Sequence, residues 1–198
     1  MSPREESRQR ILQAAFEAFS AVGYEKASMD DIVQRSGLSK GSLYWHFKNK
    51  QELFVAMMAW VFEQFTSQIE GMADQTAPAA DRIRVFFGTS MEWFESTPHM
   101  MGLLIDAFFQ SYRSPVAREV LTSFYQRYIH VVETVIKQGI ENGEFRADID
   151  PHAVAISLMA GGDGVAIYTL LEPGWNLSGA VEALMDLVLR GIAANPEE

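Results

Sequence analysis

The 198-residue chain has no cysteine, which removes disulfides, thiolate metal sites, cysteine nucleophiles and thiol redox motifs at once. It also has no apolar run of the roughly 18 residues that a membrane-spanning helix needs, so no membrane partner is expected. The opening residues Met1-Ser2-Pro3-Arg4-Glu5-Glu6-Ser7-Arg8 are polar and do not read as a signal peptide. A thiol-free chain without these segments is expected in the cytoplasm. Histidine is scarce: His46, His99, His130 and His152 stand far apart, with no H-x-x-x-H or H-E-x-x-H spacing, and no G-x-S-x-G occurs. Asp148-Ile149-Asp150 lacks the remainder of a calcium loop, and Asp150 reads as a cap before Pro151. The expectation is a protein that is not an enzyme, with no catalytic residue, metal or cofactor.

Cations are scarce as well, 16 Lys and Arg against 26 Asp and Glu, for a net charge of −10. Such a balance argues on its face against nucleic acid, because affinity for the phosphate backbone is largely electrostatic. The charge is unevenly spread. Residues 1–52 hold eight of the cations and seven of the acids, leaving eight against nineteen for the rest. From Ile32 to Gln51 there is no acid at all, and Arg35, Lys40, Lys48 and Lys50 fall there together with His46. An acidic protein thus carries one local cationic patch.

With 48% hydrophobic residues the chain can bury a real core, and the apolar period is close to 3.6 throughout. The pattern predicts an all-α fold of about nine helices. Leu12, Ala15, Phe16, Phe19 and Val22 share a face of a first helix, expected over about 5–22 and ended by Gly23. Ser28 with Asp31 forms a capping box for a short second helix ending before Gly37. Ser39 caps a third, through about His46, and Asn49 with Glu52 starts a long fourth reaching about Met72. Asp74-Gln75-Thr76-Ala77-Pro78 interrupts it. Further helices are expected at about 80–96, 98–112 (after Pro98), 115–142, 151–171 and 178–194.

Two short helices around Gly37-Leu38-Ser39 make a helix-turn-helix, a unit that lays its second helix in the DNA major groove. The cationic patch coincides with it. Residues 8–54, above all Ser28 to Val33 and Ser36 through Phe54, resemble the TetR family of one-component transcriptional regulators. Departures are Ser28 for the usual Thr, Val33 for Ala, Ser42 for Thr and Gln51 for an acid, none of which removes a DNA-facing donor.

The resemblance implies a helix-turn-helix DNA-binding domain over 1–50 and a ligand-binding and dimerisation domain over 51–198. Gly41 lets backbone approach the groove. Lys40 and Ser42 reach base edges or phosphate, and Ser39 belongs to the same surface. Ser28 either offers its hydroxyl to a phosphate or simply caps. Tyr44 points outward to phosphate, Lys48 and Lys50 are phosphate contacts, and Trp45 and His46 either touch DNA or pack against helix 1. One such module reads few base pairs, so a homodimer on a palindromic operator follows. By resemblance the last two helices form its interface, with Ile156, Ala160, Gly164, Ile167, Leu184, Leu187 and Val188 as interface residues. Gly161-Gly162-Asp163-Gly164 follows no strand and reads as close helix packing at that interface.

Seventeen of the 23 aromatics and eight of the ten methionines lie beyond residue 52. The family's cavity for a small lipophilic effector would be lined by Trp60, Phe65, Phe87, Met91, Phe94, Met101, Phe108, Tyr112, Tyr125, Tyr128, Met159 and Tyr168. Asp106, an acid in an apolar run, faces solvent, pairs with an Arg such as Arg127, or meets a polar ligand group. The family's usual sense is repression with ligand-induced release. A ligand-dependent activator, a co-repressor and a non-DNA helical adaptor are the alternatives.

Overall fold

The computed structural model describes residues 2–70, 76–97, 100–172 and 174–194. Among these residues nine helices occur: α1 Pro3–Lys26, α2 Met29–Ser36, α3 Lys40–His46, α4 Lys50–Glu70, α5 Ala79–Ser96, α6 Met100–Arg113, α7 Pro115–Glu141, α8 Pro151–Leu171 and α9 Leu177–Ile192. The only bridge-type pairing described joins Phe145 to Ala193. The expected fold class is the observed one. Asp74-Gln75, Pro98 and His99, which the sequence reading placed at a break and a helix start, lie outside the described residues. The chain divides into two compact units, residues 1–64 with 97–124 and residues 65–96 with 125–198.

The first unit is built on α1. Ser2 caps it with Glu5: the Glu5 N–H donates to Ser2 Oγ at 3.3 Å, and the Ser2 N–H donates to Glu5 Oε2 at 2.7 Å. This box starts the helix two residues earlier than expected. Ile11, Leu12, Ala15 and Phe19 are buried with Ile32, Leu43, Phe47, Leu53, Phe54 and Met57. Val22, expected on the same face, is 49% exposed. The reason is Gly23, whose φ of 78° and ψ of 166° break the helical path just after it. That conformation is essentially closed to side-chain-bearing residues.

Two side chains hold this break, and neither has its expected role. Asp106 of α6, expected to face solvent, an arginine or a ligand, accepts the Tyr24 N–H at 2.9 Å and is therefore a cap for the interrupted helix. Lys50, expected as a phosphate contact, donates its ammonium to the carbonyls of Tyr24, Glu25 and Ala27 at 2.9, 3.0 and 3.2 Å, and lies 4.6 Å from the Tyr24 ring centre. An ammonium has three protons, and all three are used. Lys50 is a strut at the C-terminus of α1, where a cation also complements the helix dipole. The rings of Phe19, Tyr24 and Phe54 close the same corner at centroid separations of 4.9–5.8 Å.

In the second unit α9 packs on α5 and α8. Asp150 caps α8 by accepting from the N–H groups of His152 and Ala153, as its place before Pro151 predicts. At the far end, Arg146 N–H donates to Ile192 O and Ala194 N–H to Glu144 O, both at 3.0 Å, while Glu144 Oε2 accepts from the Ala79 N–H at 2.6 Å. This stitching brings α7 against Phe145 at Gly139, where an added Cβ would stand 2.5 Å from Phe145 Cε2 and 2.8 Å from Ala79 Cβ. Gly161 receives Leu184 of α9, with an added Cβ only 2.6 Å from Leu184 Cδ2, and Gly162 lies against Phe87. The close packing expected at an interface between chains is, at these two glycines, packing within one chain.

Two substitutions test this architecture. Gly139→Ala should lower the unfolding free energy by about 1–3 kcal/mol, the usual cost of overpacking, read as a lower urea midpoint at unchanged slope. Lys50→Met should cost about 1–3 kcal/mol by leaving three carbonyls without their donor. A lysine that served only to touch phosphate would leave the urea midpoint where it is.

Candidate functional site

The helix-turn-helix is assembled by short-range caps. Ser28 Oγ accepts from the Asp31 N–H at 3.1 Å and donates to Asp31 Oδ2 at 2.6 Å, so its hydroxyl is engaged in capping α2. That hydrogen bond holds the Asp31 carboxyl below the usual carboxylate range. Gly37, at φ 64° and ψ 19°, ends α2 in the left-handed conformation that glycine tolerates best. Ser39 then caps α3, accepting from the Ser42 N–H at 3.1 Å. Arg10 of α1 donates to the Ser36 carbonyl at 2.8 Å and pins the end of α2.

With Leu43 and Phe47 buried, the opposite side of α3 faces outward. Tyr44 is 43% exposed, as expected, and Trp45 is 63% exposed. Lys40 pairs with Asp30 at 2.7 Å, both side chains well exposed, and its Nζ stands 6.0 Å from the Tyr44 ring centre. Such surface pairs are weak, so a phosphate can replace Asp30. Lys48 is exposed, and its backbone N–H donates to Glu52 Oε2. A Cβ added at Gly41 would meet only Ser39 Oγ, at 3.8 Å, so nothing inside the chain requires glycine there.

His46 packs against helix 1. Its Nε2 lies 2.8 Å from Ser7 Oγ, and its ring meets Trp45 edge-on at 4.6 Å. Burial first, then the Arg4 and Arg8 guanidiniums, hold its pKa below the ordinary value, so it is neutral at pH 7. Arg4 lies over the Trp45 ring at 4.7 Å and Arg8 over Phe47 at 5.6 Å. Neither arginine was singled out from the sequence, although their i, i+4 spacing on α1 was visible.

The expected ligand-site residues do not form one group. In the first unit, Trp60 is half-buried beside a polar groove with Arg10, Glu17 and Arg35, and Met101 is buried in α6. Phe108 is 46% and Tyr112 85% exposed, so neither lines an enclosed space in that unit. In the second unit, Phe65, Phe87 and Tyr128 are buried together. The Phe65 ring lies 4.5 Å from Trp93, 6.3 Å from Phe94 and 6.1 Å from Tyr128, and Phe86 meets Tyr128 at 4.6 Å. Met159 is buried, and Met91 lies with Phe87 at the floor of an α5–α9 groove of about 460 Å³. Tyr168 is exposed, and its ring meets Trp175 at a tilt, 5.2 Å between centroids.

Polar groups punctuate this aromatic cluster. The Tyr128 hydroxyl pairs with Ser90 Oγ at 3.2 Å, and the Tyr125 hydroxyl donates to Asp163 Oδ2 at 2.8 Å. Burial pushes both phenols up and raises the Asp163 carboxyl above the carboxylate range, with the Tyr125 hydrogen bond opposing that rise. Sequence reading assigned Asp163 to glycine-rich packing. Its signal was an acid amid small residues on an otherwise apolar helix.

Of the residues expected at a dimer interface, Ile156 and Ile167 are 42% and 43% exposed and Leu187 is 75% exposed. Ala160 is also exposed, while Gly164, Leu184 and Val188 are half-buried, and a Cβ at Gly164 would touch nothing. Met159 of α8 and Ile192 of α9 are buried within the chain. No helix of the described residues is long and apolar enough to cross a membrane, and no group of three or more His, Asp or Glu among them is placed to hold a metal.

Residues 11–57 match the family described as bacterial regulatory proteins, tetR family, and residues 79–193 match the BetI-type transcriptional repressor C-terminal domain. The HTH-type transcriptional repressor DhaR of Mycobacterium sp. (strain GP1) is 26% identical over 172 residues, 83% of each chain. Among solved structures, a transcriptional regulator from Saccharomonospora viridis in complex with choline superposes with a TM-score of 0.83 at 22% identity, covering 96% of this chain and all of that one. The transcriptional regulator FadR from Bacillus subtilis in complex with stearoyl-CoA gives 0.74 at 18% identity, covering 93% and 98%. The matched families are regulators and not enzymes. This chain belongs to the TetR family of DNA-binding, ligand-responsive transcriptional regulators, with a C-terminal domain of the BetI type.

Proposed function

We propose that the chain works in the cytoplasm as a homodimeric repressor. Its residues 1–50 read a palindromic operator, and residues 51–198 carry the effector site and the dimer contact. The observation that carries this reading is the surface of α3: Lys40, Tyr44, Trp45 and Lys48 face outward from an acid-free stretch on a chain of net charge −10. A cationic patch on an otherwise acidic protein suits a polyanion. The exposed apolar residues Ile156, Ile167 and Leu187 support a partner copy on α8 and α9, since an aqueous surface gains nothing from them.

The effector reading rests on the second unit's rings. Phe65, Phe87, Trp93, Phe94 and Tyr128 supply apolar and π surface, and Asp163 with Tyr125 supplies one polar anchor. This fits a small lipophilic effector carrying a hydrogen-bond donor or a positive charge. The choline and stearoyl-CoA bound by the two solved relatives bracket the range of size and polarity to be tested. Binding releases DNA to the extent that the effector prefers the conformation that fits the operator poorly.

Two measurements check the proposal. Lys40→Ala with Tyr44→Phe should weaken binding to duplexes enriched from a random pool by about 100-fold, roughly tenfold per lost contact, with the melting temperature held. Undiminished binding would remove α3 from the interface. Choline and stearoyl-CoA, added to the protein–DNA complex, test release directly. The compound that raises the melting temperature should also lower DNA affinity, and Asp163→Asn should reduce both effects for a cationic probe. Equal effects in the variant would exclude Asp163 from the site.

A further inference from the structure

The cationic surface does not end with the helix-turn-helix. Three residues on one face of α1 meet three consecutive residues at the end of α3: Arg4 over Trp45 at 4.7 Å, Ser7 against His46 at 2.8 Å, and Arg8 over Phe47 at 5.6 Å. The Ser2–Glu5 capping box starts α1 at Pro3, so Arg4 and Arg8 stand on ordered helix. Glu5, next to Arg4 in sequence, accepts the Ser2 N–H in that box. No hydrogen bond or ion pair to a described residue occupies either guanidinium, and both residues are exposed. Arg8 covers a ring that is 3% exposed, which packing alone explains, whereas Arg4 lies on an indole that remains 63% exposed.

From this ladder we propose that the first two turns of α1 are part of the DNA-contacting surface, with Arg4 and Arg8 binding the phosphates that flank the half-site read by α3. This rests on the DNA-binding reading above and extends it to a second helix. The physical argument lies in how the guanidinium is held. Stacking uses its flat face and leaves the five N–H donors at its edge, the geometry that matches a phosphate. Trp45 positions Arg4 without consuming a donor, and Ser7 with His46 ties the same turn of α1 to α3. Lys48, the residue after Phe47, continues the row. Phosphate contacts of this kind add affinity and fix orientation without reading sequence.

The test is the salt dependence of binding, followed by fluorescence anisotropy on a labelled duplex enriched from a random pool and on an unrelated duplex. Each phosphate contact removed should flatten the slope of log K against log salt by about 0.9, so Arg4→Gln with Arg8→Gln, which removes two contacts from each protomer of the proposed homodimer, should flatten it by about 3.6 on both duplexes. Arg4→Lys keeps a point charge and should keep most of the slope. Arg118→Gln, at an exposed position of α7, should leave it unchanged and controls for net charge. An unaltered slope in the Arg4/Arg8 variant, in protein that melts as the wild type does, overturns the proposal. So does a loss confined to one base identity, which would mean base reading. If Lys40→Ala with Tyr44→Phe also fails to weaken binding, the reading of α3 as the DNA-contacting helix falls with it. If that variant alone weakens binding, only the α1 extension falls.

Discussion

The length of α3 governs the first unit. At seven residues, Lys40–His46, it is well below the roughly 12–15 at which an isolated helix persists in water. It exists because Leu43 and Phe47 are buried, because Ser39 caps it, and because Ser7 and Arg4 of α1 hold its far end. Everything on its outward side inherits its position from contacts on the inward side. Lys40 and Tyr44, for example, each stand three residues from a buried neighbour, Leu43 and Phe47. The corner at Gly23 serves the same end, since Lys50 and Asp106 fix the point where α1 stops and the chain turns toward α2.

Electrostatics then decide what this surface can do. With a net charge of −10 the protein as a whole repels a polyanion, so affinity depends on the few cations that are local and available. Lys50 is not available, because its protons are committed to carbonyls. Lys40 is available at small cost, since Asp30 holds it only through an exposed pair. His46, kept neutral by burial and two arginines, contributes packing rather than charge near pH 7. The cationic count in the sequence therefore overstates the patch by Lys50 and understates it by the arginines of α1.

Local signals were legible in the sequence and distant partners were not. The Ser28–Asp31 box, Ser39, Gly37 and Asp150 act over one to four residues, and the structure places each in the capping or terminating position that its spacing implied. The outward turn of Tyr44 follows from the same arithmetic, because Leu43 and Phe47 occupy the inward stripe. Asp106 defeated sequence reading because its partner is a backbone N–H 82 residues away, which no side-chain pattern reveals. Lys50 shows the same limit over 23 to 26 residues. Gly161 was correctly read as close packing, but period and size could not say whether the neighbour was a second chain or Leu184 of this one.

Asp163 shows what kind of selectivity the second unit can support. A carboxyl removed from water raises its own pKa and demands a donor, and Tyr125 supplies that donor at 2.8 Å. In the proposed effector site, a ligand that displaced this hydroxyl without replacing its hydrogen bond would leave a buried acid unsatisfied. That penalty exceeds what one additional methylene against Phe65 or Phe87 returns, since about 0.8 kcal/mol per buried CH₂ stands against roughly 1–3 kcal/mol for an orphaned polar group. The rings accordingly set the size and apolar character an effector can have, while the Tyr125–Asp163 pair sets which lipophilic molecules are refused.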